Sequence, residues 1–255
     1  MSTSDAGAGN MAGSGSESAK PPRQIKRILL KISGESLGQD GSGVSPQVVA
    51  RVAEQIASVH RQGVEIAIVC GGGNLMRGAE FAKMGTNRST ADHMGMLGTA
   101  INALALQDGL ERAGVETRAA CAVEMKTVME PYIRRRVIRH LEKGRAVVLA
   151  GGTGNPYFTT DTAAALRATE LGVDAIFKAT KVDGVYTADP RKDASAVRFD
   201  SLSFREALDR NLQVMDRTAF TLCMENQMPI MAFAMFLAGN MERAVRGESI
   251  GTWVI

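Results

Sequence analysis

Three glycine-rich turns, each at the end of a short apolar run, constrain this chain more than any other feature of its sequence. The first is Ser33-Gly34-Glu35, the second is Gly71-Gly72-Gly73-Asn74-Leu75-Met76-Arg77-Gly78, and the third runs from Gly151 to Asp161 as GGTGNPYFTTD. The runs leading into them belong to a series: Lys26 to Ser33, Val64 to Cys70, Thr117 to Ala122, Ala146 to Ala150, Ala175 to Ala179, Ile230 to Ala234 and Thr252 to Ile255. Stretches of helical period separate most of them. Short apolar segments alternating with helices predict an α/β fold, a three-layer αβα sandwich around a largely parallel sheet. In such a sheet ligands gather at the carboxyl ends of the strands, where the N–H groups of glycine turns and helix starts bind anions. Three such turns point to a crevice for several anionic groups.

The first helix is clearly punctuated. Ser45 is the expected N-cap, Pro46 opens the helix, Val48, Val49, Val52, Ile56 and Val59 share a side, and Gly63 lies past the end. Pro131 and Gly144 are expected to frame another helix in the same way. No internal repeat and no break in composition follow residue 23, so residues 23–255 read as a single domain, and a chain of 255 residues that is 45% apolar has enough material for a sizeable core. Residues 1–22 are mostly Gly, Ala and Ser. They lack the apolar core of a signal peptide and the arginines of a transit peptide, and are read as a disordered tail. The longest apolar stretch, Met228 to Ala238, falls short of the roughly 18 to 20 residues of a membrane helix and reads as a buried strand with its flank. Three widely spaced cysteines, Cys70, Cys121 and Cys223, support neither a disulfide framework nor a metal knuckle, and suit a cytoplasmic protein. A net charge of +3 and 5% aromatics argue against a nucleic-acid surface.

The turns exclude the usual P-loop kinases and leave a dinucleotide-binding fold as only a weak second reading. G-x-x-x-x-G-K-[ST] is absent, and Gly71, Gly73 and Gly78 have the wrong spacing for a dinucleotide loop. The second turn instead offers several unobstructed N–H groups together with Arg77, a combination that can hold a phosphate, or else makes a tight turn with a solvated arginine. Lys31 is the only charge in Ile28-Leu29-Leu30-Lys31-Ile32. It can neutralise phosphoryl oxygens as charge shifts in a transfer, or simply reach water from a strand end. Thr159 and Thr160 can cap the helix that follows the third turn. Asp161, in its first turn, can organise lysines or a Mg²⁺-bound phosphate, or serve only as a favourable first-turn carboxylate. The segment Thr180 to Pro190, TKVDGVYTADP, can wrap a base and ribose with Tyr186 and Asp189, or form a surface hairpin.

Taken together, Lys31-Ile32-Ser33-Gly34-Glu35, GGGNLMRG, Asp92-His93-Met94-Gly95-Met96, GTGNPYFTTD and KVDGVYTADP resemble the bacterial uridylate (UMP) kinases of the amino-acid kinase superfamily, from about Lys26 to Ile255. The resemblance implies transfer of the ATP γ-phosphoryl group to UMP in pyrimidine nucleotide biosynthesis, with Mg²⁺ carried by the nucleotide phosphates and no metal ligand from the protein. It implies catalytic roles for Lys31 and Asp161. ATP contacts are implied at Lys31, Ile32, Ser33, Gly34, Gly73, Arg77, Thr180, Tyr186 and Asp189. UMP contacts are implied at Gly72, Asp92 and the loop Thr153, Gly154, Asn155, Pro156, Tyr157, Phe158, Thr159 and Thr160. Lys178 and Asp216 are further participants by the same resemblance. It also implies a homohexamer inhibited by UTP and activated by GTP; the apolar stretch from Met94 to Leu106, with its small residues, can supply a subunit-facing helix or form a wholly buried one. His93 reads as structural. A kinase of the same fold acting on a carboxylate or carbamate, and a nucleotide-binding protein without turnover, stay open on the residues alone.

Overall fold

The computed structural model describes residues 21–22, 24–40, 43–76, 81 and 83–255. Every expected apolar run forms a strand: β1 (Arg27–Ile32), β2 (Glu65–Cys70), β3 (Thr117–Cys121), β5 (Ala146–Ala150), β6 (Ala175–Ala179), β8 (Ile230–Phe233) and β9 (Gly251–Val254). Two short strands, β4 (Glu130–Pro131) and β7 (Ser201–Leu202), add the edges. Two residues carry no readable period, and so the sequence does not announce them.

The strands form one sheet in the order β4-β3-β5-β2-β1-β6-β8-β9-β7. All neighbours are parallel except β8 and β9. The central strands are buried along almost their whole length, as expected where helices cover both faces. On one face lie α1 (Pro46–His60), α2 (Arg88–Arg112) and α7 (Asn240–Val245); on the other lie α3 (Arg134–Glu142), α4 (Thr160–Leu171), α5 (Phe204–Asp209) and α6 (Arg217–Glu225). Each layer has its own apolar core, and strand alternation assigns residues between them. Ile28, Leu30 and Ile32 of β1 join the first core, while Leu29 joins the second.

The first helix starts as expected, with the Ser45 side chain accepting from the Val48 N–H, and Gly63 takes a positive φ of 85° past its end. The Pro131 expectation is corrected. Pro131 sits in β4, paired with Cys121, and α3 begins at Arg134 behind Ile133, which makes no side-chain cap. Gly144, with φ 72°, does follow the end of that helix.

From β1 the chain moves to β2 on one side and returns through β6 on the other. This reversal opens a crevice at the carboxyl ends of β1 and β6.

Candidate active site

Strand alternation also decides which way the central lysines face. Leu29 and Ile176 pack in the core beneath α4, so Lys31 in β1 and Lys178 in β6, two residues further along, point toward the same layer. The two lysines are direct neighbours across the β1–β6 pairing. Asp161, in the first turn of α4, reaches down between them. Lys31 Nζ lies 2.7 Å from its Oδ1 and Lys178 Nζ 2.8 Å from its Oδ2. Lys178 also donates to the Val214 carbonyl at 2.6 Å. All three side chains are largely buried, with 12–15% of their surface exposed.

Burial works against the charge on Asp161, but the ammonium groups of Lys31 and then Lys178 outweigh it and hold the carboxyl below its ordinary range. Burial lowers the pKa of Lys178, with Asp161 opposing the shift. The two ammonium groups lie beside the positive end of α4, with Asp161 between them and Asp216 acting on Lys178 from the start of α6. The cluster is arranged to receive anionic groups from the crevice.

Thr159 caps α4 as expected: its Oγ1 accepts from the N–H groups of Asp161 at 3.1 Å and Thr162 at 3.2 Å. The same hydroxyl donates to Asp216, which also accepts from Thr162 Oγ1 at 3.1 Å and from the Ala219 N–H at 3.0 Å as N-cap of α6. Asp216 thereby ties the starts of α4 and α6 together.

The Gly34 and Gly71 turns touch. A Cβ on Gly34 would stand 2.5 Å from the Gly71 carbonyl, so this position requires glycine for close approach. A Cβ on Gly72 would meet the Gly95 carbonyl of α2 at 2.6 Å, whereas Gly73 is open. Ser33 leads into a short 3-10 turn, Gly34–Leu37, and Ile32 is wholly buried, so only its main chain is placed to meet a ligand. Arg77 lies outside the described residues.

On the α2 side, Gly72, Asp92, Thr153, Asn155, Phe158 and Thr160 share a cavity of about 150 Å³. Asp92 accepts from Arg88 Nε at 2.8 Å and from the Tyr157 N–H at 2.8 Å, joining α2 to the third turn. Tyr157 holds a left-handed φ of 73°, and its ring lies 5.8 Å from the Arg88 guanidinium. Gly154 packs against Ala122, and Pro156 lies between Asn155 and Tyr157 in the same loop. His93 is exposed on α2.

On the far side of the lysines, Thr180, Tyr186 and Asp189 line a cavity of about 470 Å³. A second space of about 450 Å³ is lined by Asp161, Lys178 and Asp216, and the wall from Asn211 to Val214 borders both. Tyr186 Oη donates to Asp183 at 2.6 Å, and Asp189 Oδ1 accepts from the Arg191 N–H at 3.0 Å. Neither this wall nor Thr99 and Asn102, buried on α2 behind the glycine turns, stands out as a site feature in the sequence. Polar residues inside an otherwise apolar helix were the only signal available for the latter two.

The chain is similar to known proteins in both sequence and fold. The sequence model of the amino acid kinase family matches residues 26–233. A uridylate kinase of Dichelobacter nodosus is 55% identical over 238 residues, 93% of this chain and 99% of that protein. The crystal structure of a UMP kinase from Bacillus anthracis superposes with a TM-score of 0.88 at 38% identity, covering 91% of this chain and 96% of that one. A UMP kinase structure from Ureaplasma parvum gives 0.85 at 34% identity over 91% and 99%. A uridylate kinase structure from Archaeoglobus fulgidus gives 0.70 at 28% over 89% and 99%.

Proposed function

The chain belongs to the amino acid kinase family, and we infer that it acts as a uridylate kinase, transferring the γ-phosphoryl group of ATP to UMP to give UDP and ADP in pyrimidine nucleotide biosynthesis. The observation that carries this reading is the position of the Lys31–Asp161–Lys178 cluster, between a cavity beside α2 and a larger one beside the Thr180–Asp189 segment. UMP is assigned to the first cavity, with its phosphate at Gly72, its ribose at Asp92 and its base in the loop from Thr153 to Thr160. ATP is assigned to the second, with its phosphates at Lys31, Ser33, Gly34, Gly73 and Arg77, and its nucleoside at Thr180, Tyr186 and Asp189.

The acceptor is already an anionic phosphate, so the reaction needs positioning and neutralisation more than a base. Lys31 and Lys178 supply positive charge where the transferred group passes. Asp161 keeps two mutually repelling ammonium groups side by side and aimed at that point. The start of α4 adds the Thr160 N–H, which Thr159 does not use. Mg²⁺ neutralises phosphate oxygens in such transfers. No three His, Cys, Asp or Glu side chains come together as a metal site among the described residues, and both Asp161 oxygens face lysines. The proposal takes the ion to arrive on the ATP phosphates, with no ligand from the protein.

The same proposal takes residues 23–255 as one domain, supported by the single sheet. It also includes a homohexamer inhibited by UTP and activated by GTP. Leu97, Ile101 and Leu104 expose 52%, 52% and 38% of their surface along α2, a stripe that supports self-association. No helix among the described residues is long and apolar enough to cross a membrane, in keeping with the proposed cytoplasmic location.

The test is ADP formation by the purified chain with Mg·ATP and a panel of UMP, CMP, dUMP, AMP, N-acetylglutamate, aspartate and carbamate. Selective turnover of UMP is expected. Turnover of a carboxylate alone would keep the fold and overturn the acceptor assignment.

A further inference from the structure

Two buried asparagines sit directly behind the glycine turns, and the phosphoryl-transfer chemistry described above does not use them. Asn102 of α2 is 0% exposed and Asn74 of the second turn 7%. Their amides bond reciprocally: Asn74 Nδ2 donates to Asn102 Oδ1 at 3.0 Å, and Asn102 Nδ2 donates to Asn74 Oδ1 at 2.7 Å. Each has a second N–H, and both are used. Asn102 donates to the Gly71 carbonyl at 2.7 Å and Asn74 to the Gly43 carbonyl at 2.5 Å. The Gly43 N–H in turn donates to the Asn74 carbonyl at 3.0 Å.

Burying two amides is costly unless every group is paired, and leucines would fill similar space without that demand. What amides add is direction. Gly34 shows where that direction is used, because the place of its missing Cβ lies 2.5 Å from both Asn74 Oδ1 and the Gly71 carbonyl. The first turn therefore rests on the amide pair, the second turn hangs from it, and α2 anchors both. Gly72 and Gly98 let the second turn and α2 come close, with the Gly72 Cβ position 2.6 Å from the Gly95 carbonyl and the Gly98 Cβ position 3.3 Å from the Gly72 carbonyl.

We propose that Asn74 and Asn102 are positioning residues for phosphoryl transfer. They hold the Gly34 turn, which faces the ATP phosphates, in register with the Gly71–Gly73 turn, which faces both nucleotides, so that donor and acceptor phosphates meet in line. The proposal rests on the uridylate kinase reading. An in-line transfer tolerates little displacement, and a misplacement of about 1 Å costs on the order of 10²-fold in rate. UMP itself is held mainly from Asp92 and the Thr153–Thr160 loop, which the pair does not touch.

Two variants of the full chain test this. Asn102→Asp keeps the shape and the acceptor oxygen but loses the N–H donors to Gly71 and Asn74. The double substitution Asn74→Leu with Asn102→Leu replaces the network by apolar groups of similar size. For each, kcat, KM for UMP and for ATP, and Tm are measured beside the wild type. In both variants kcat is expected to fall by about tenfold or more while KM for UMP changes less than about threefold. Both variants are expected to unfold cooperatively at a lowered Tm that stays above the assay temperature, so that kcat and KM are read on folded protein. A folded variant that loses less than that in kcat overturns the proposal. So does activity that disappears only in step with folded protein, including failure of both variants to fold, since the pair would then be a core element alone. Absence of UMP turnover in the wild type would instead remove the uridylate kinase reading on which the pair depends.

Discussion

The two sides of the crevice are built differently. The side beside α2 is fastened to a 25-residue helix by direct bonds: Asp92 accepts the Tyr157 N–H, and Thr99 Oγ1 accepts the Gly151 N–H, each at 2.8 Å. The Thr180–Asp189 side is a loop, held to β8 and β9 through the Thr180 N–H to the Phe233 carbonyl at 2.9 Å and the Val185 N–H to Thr252 Oγ1 at 2.8 Å, and to the following segment through Thr187–Val197 and Arg198–Asp183 bonds. A wall carried on a helix holds its groups to a narrow geometry, and a loop wall yields more easily. The contrast suits an acceptor that must be selected and a donor that must enter and leave at every turnover. The lysine–aspartate cluster stands between them and belongs to both.

Breaking the shared centre has the largest expected effect. Asp161→Asn leaves two adjacent ammonium groups without their anion, and kcat is expected to fall by about 10²- to 10³-fold in steady-state assays. The same substitution has a pH signature. Because the folded carboxyl titrates below its ordinary value of 3.8, its contribution to stability is complete above that value and is lost as pH falls through the folded pKa. The Tm difference between wild type and variant is therefore expected to be largest near neutrality and to narrow below about pH 4. A constant difference across that range would separate Asp161 from the lysines.

A smaller effect sharpens the contrast between the walls. Asp92→Asn loses the ion pair with Arg88, 2.8 Å long, and weakens the tie to Tyr157. KM for UMP is expected to rise by about tenfold, the size of one charge-assisted hydrogen bond, with KM for ATP nearly unchanged. Equal rises in both constants would mean the two walls are not independent.

The smallest effect is expected on the donor side. Tyr186→Phe removes the hydroxyl bond to Asp183 from a loop that other bonds also hold, and a partly exposed bond of this kind contributes about 0.5 kcal/mol. KM for ATP is expected to rise by no more than about threefold, with KM for UMP constant. A larger loss would show that the loop depends on that bond.

Much of the fold was legible because its signals are local. The apolar runs of the long strands, the Ser45 and Thr159 caps and the three turns are all written in neighbouring residues. Where the reading failed, the signal was short or ambiguous. β4 and β7 are two residues each, and Pro131 looked like a helix opener because proline suits both a helix start and an edge strand. The candidate site was legible in its turns and in Lys31 and Asp161. Lys178 and Asp216 entered only through family resemblance, and Thr99 and Asn102 were marked only as polar residues within the apolar stretch of α2.

By itself, then, the sequence determined the period of each segment, and with it the layers, the caps and the anion-binding turns. Tertiary structure alone decided that β6 lies beside β1, which makes Lys31 and Lys178 neighbours, and that α4 starts where Asp161 reaches both. Periodicity is a property of adjacent residues. Strand order depends on how helices pack across both faces of the sheet, and that free energy is summed over residues far apart in the chain.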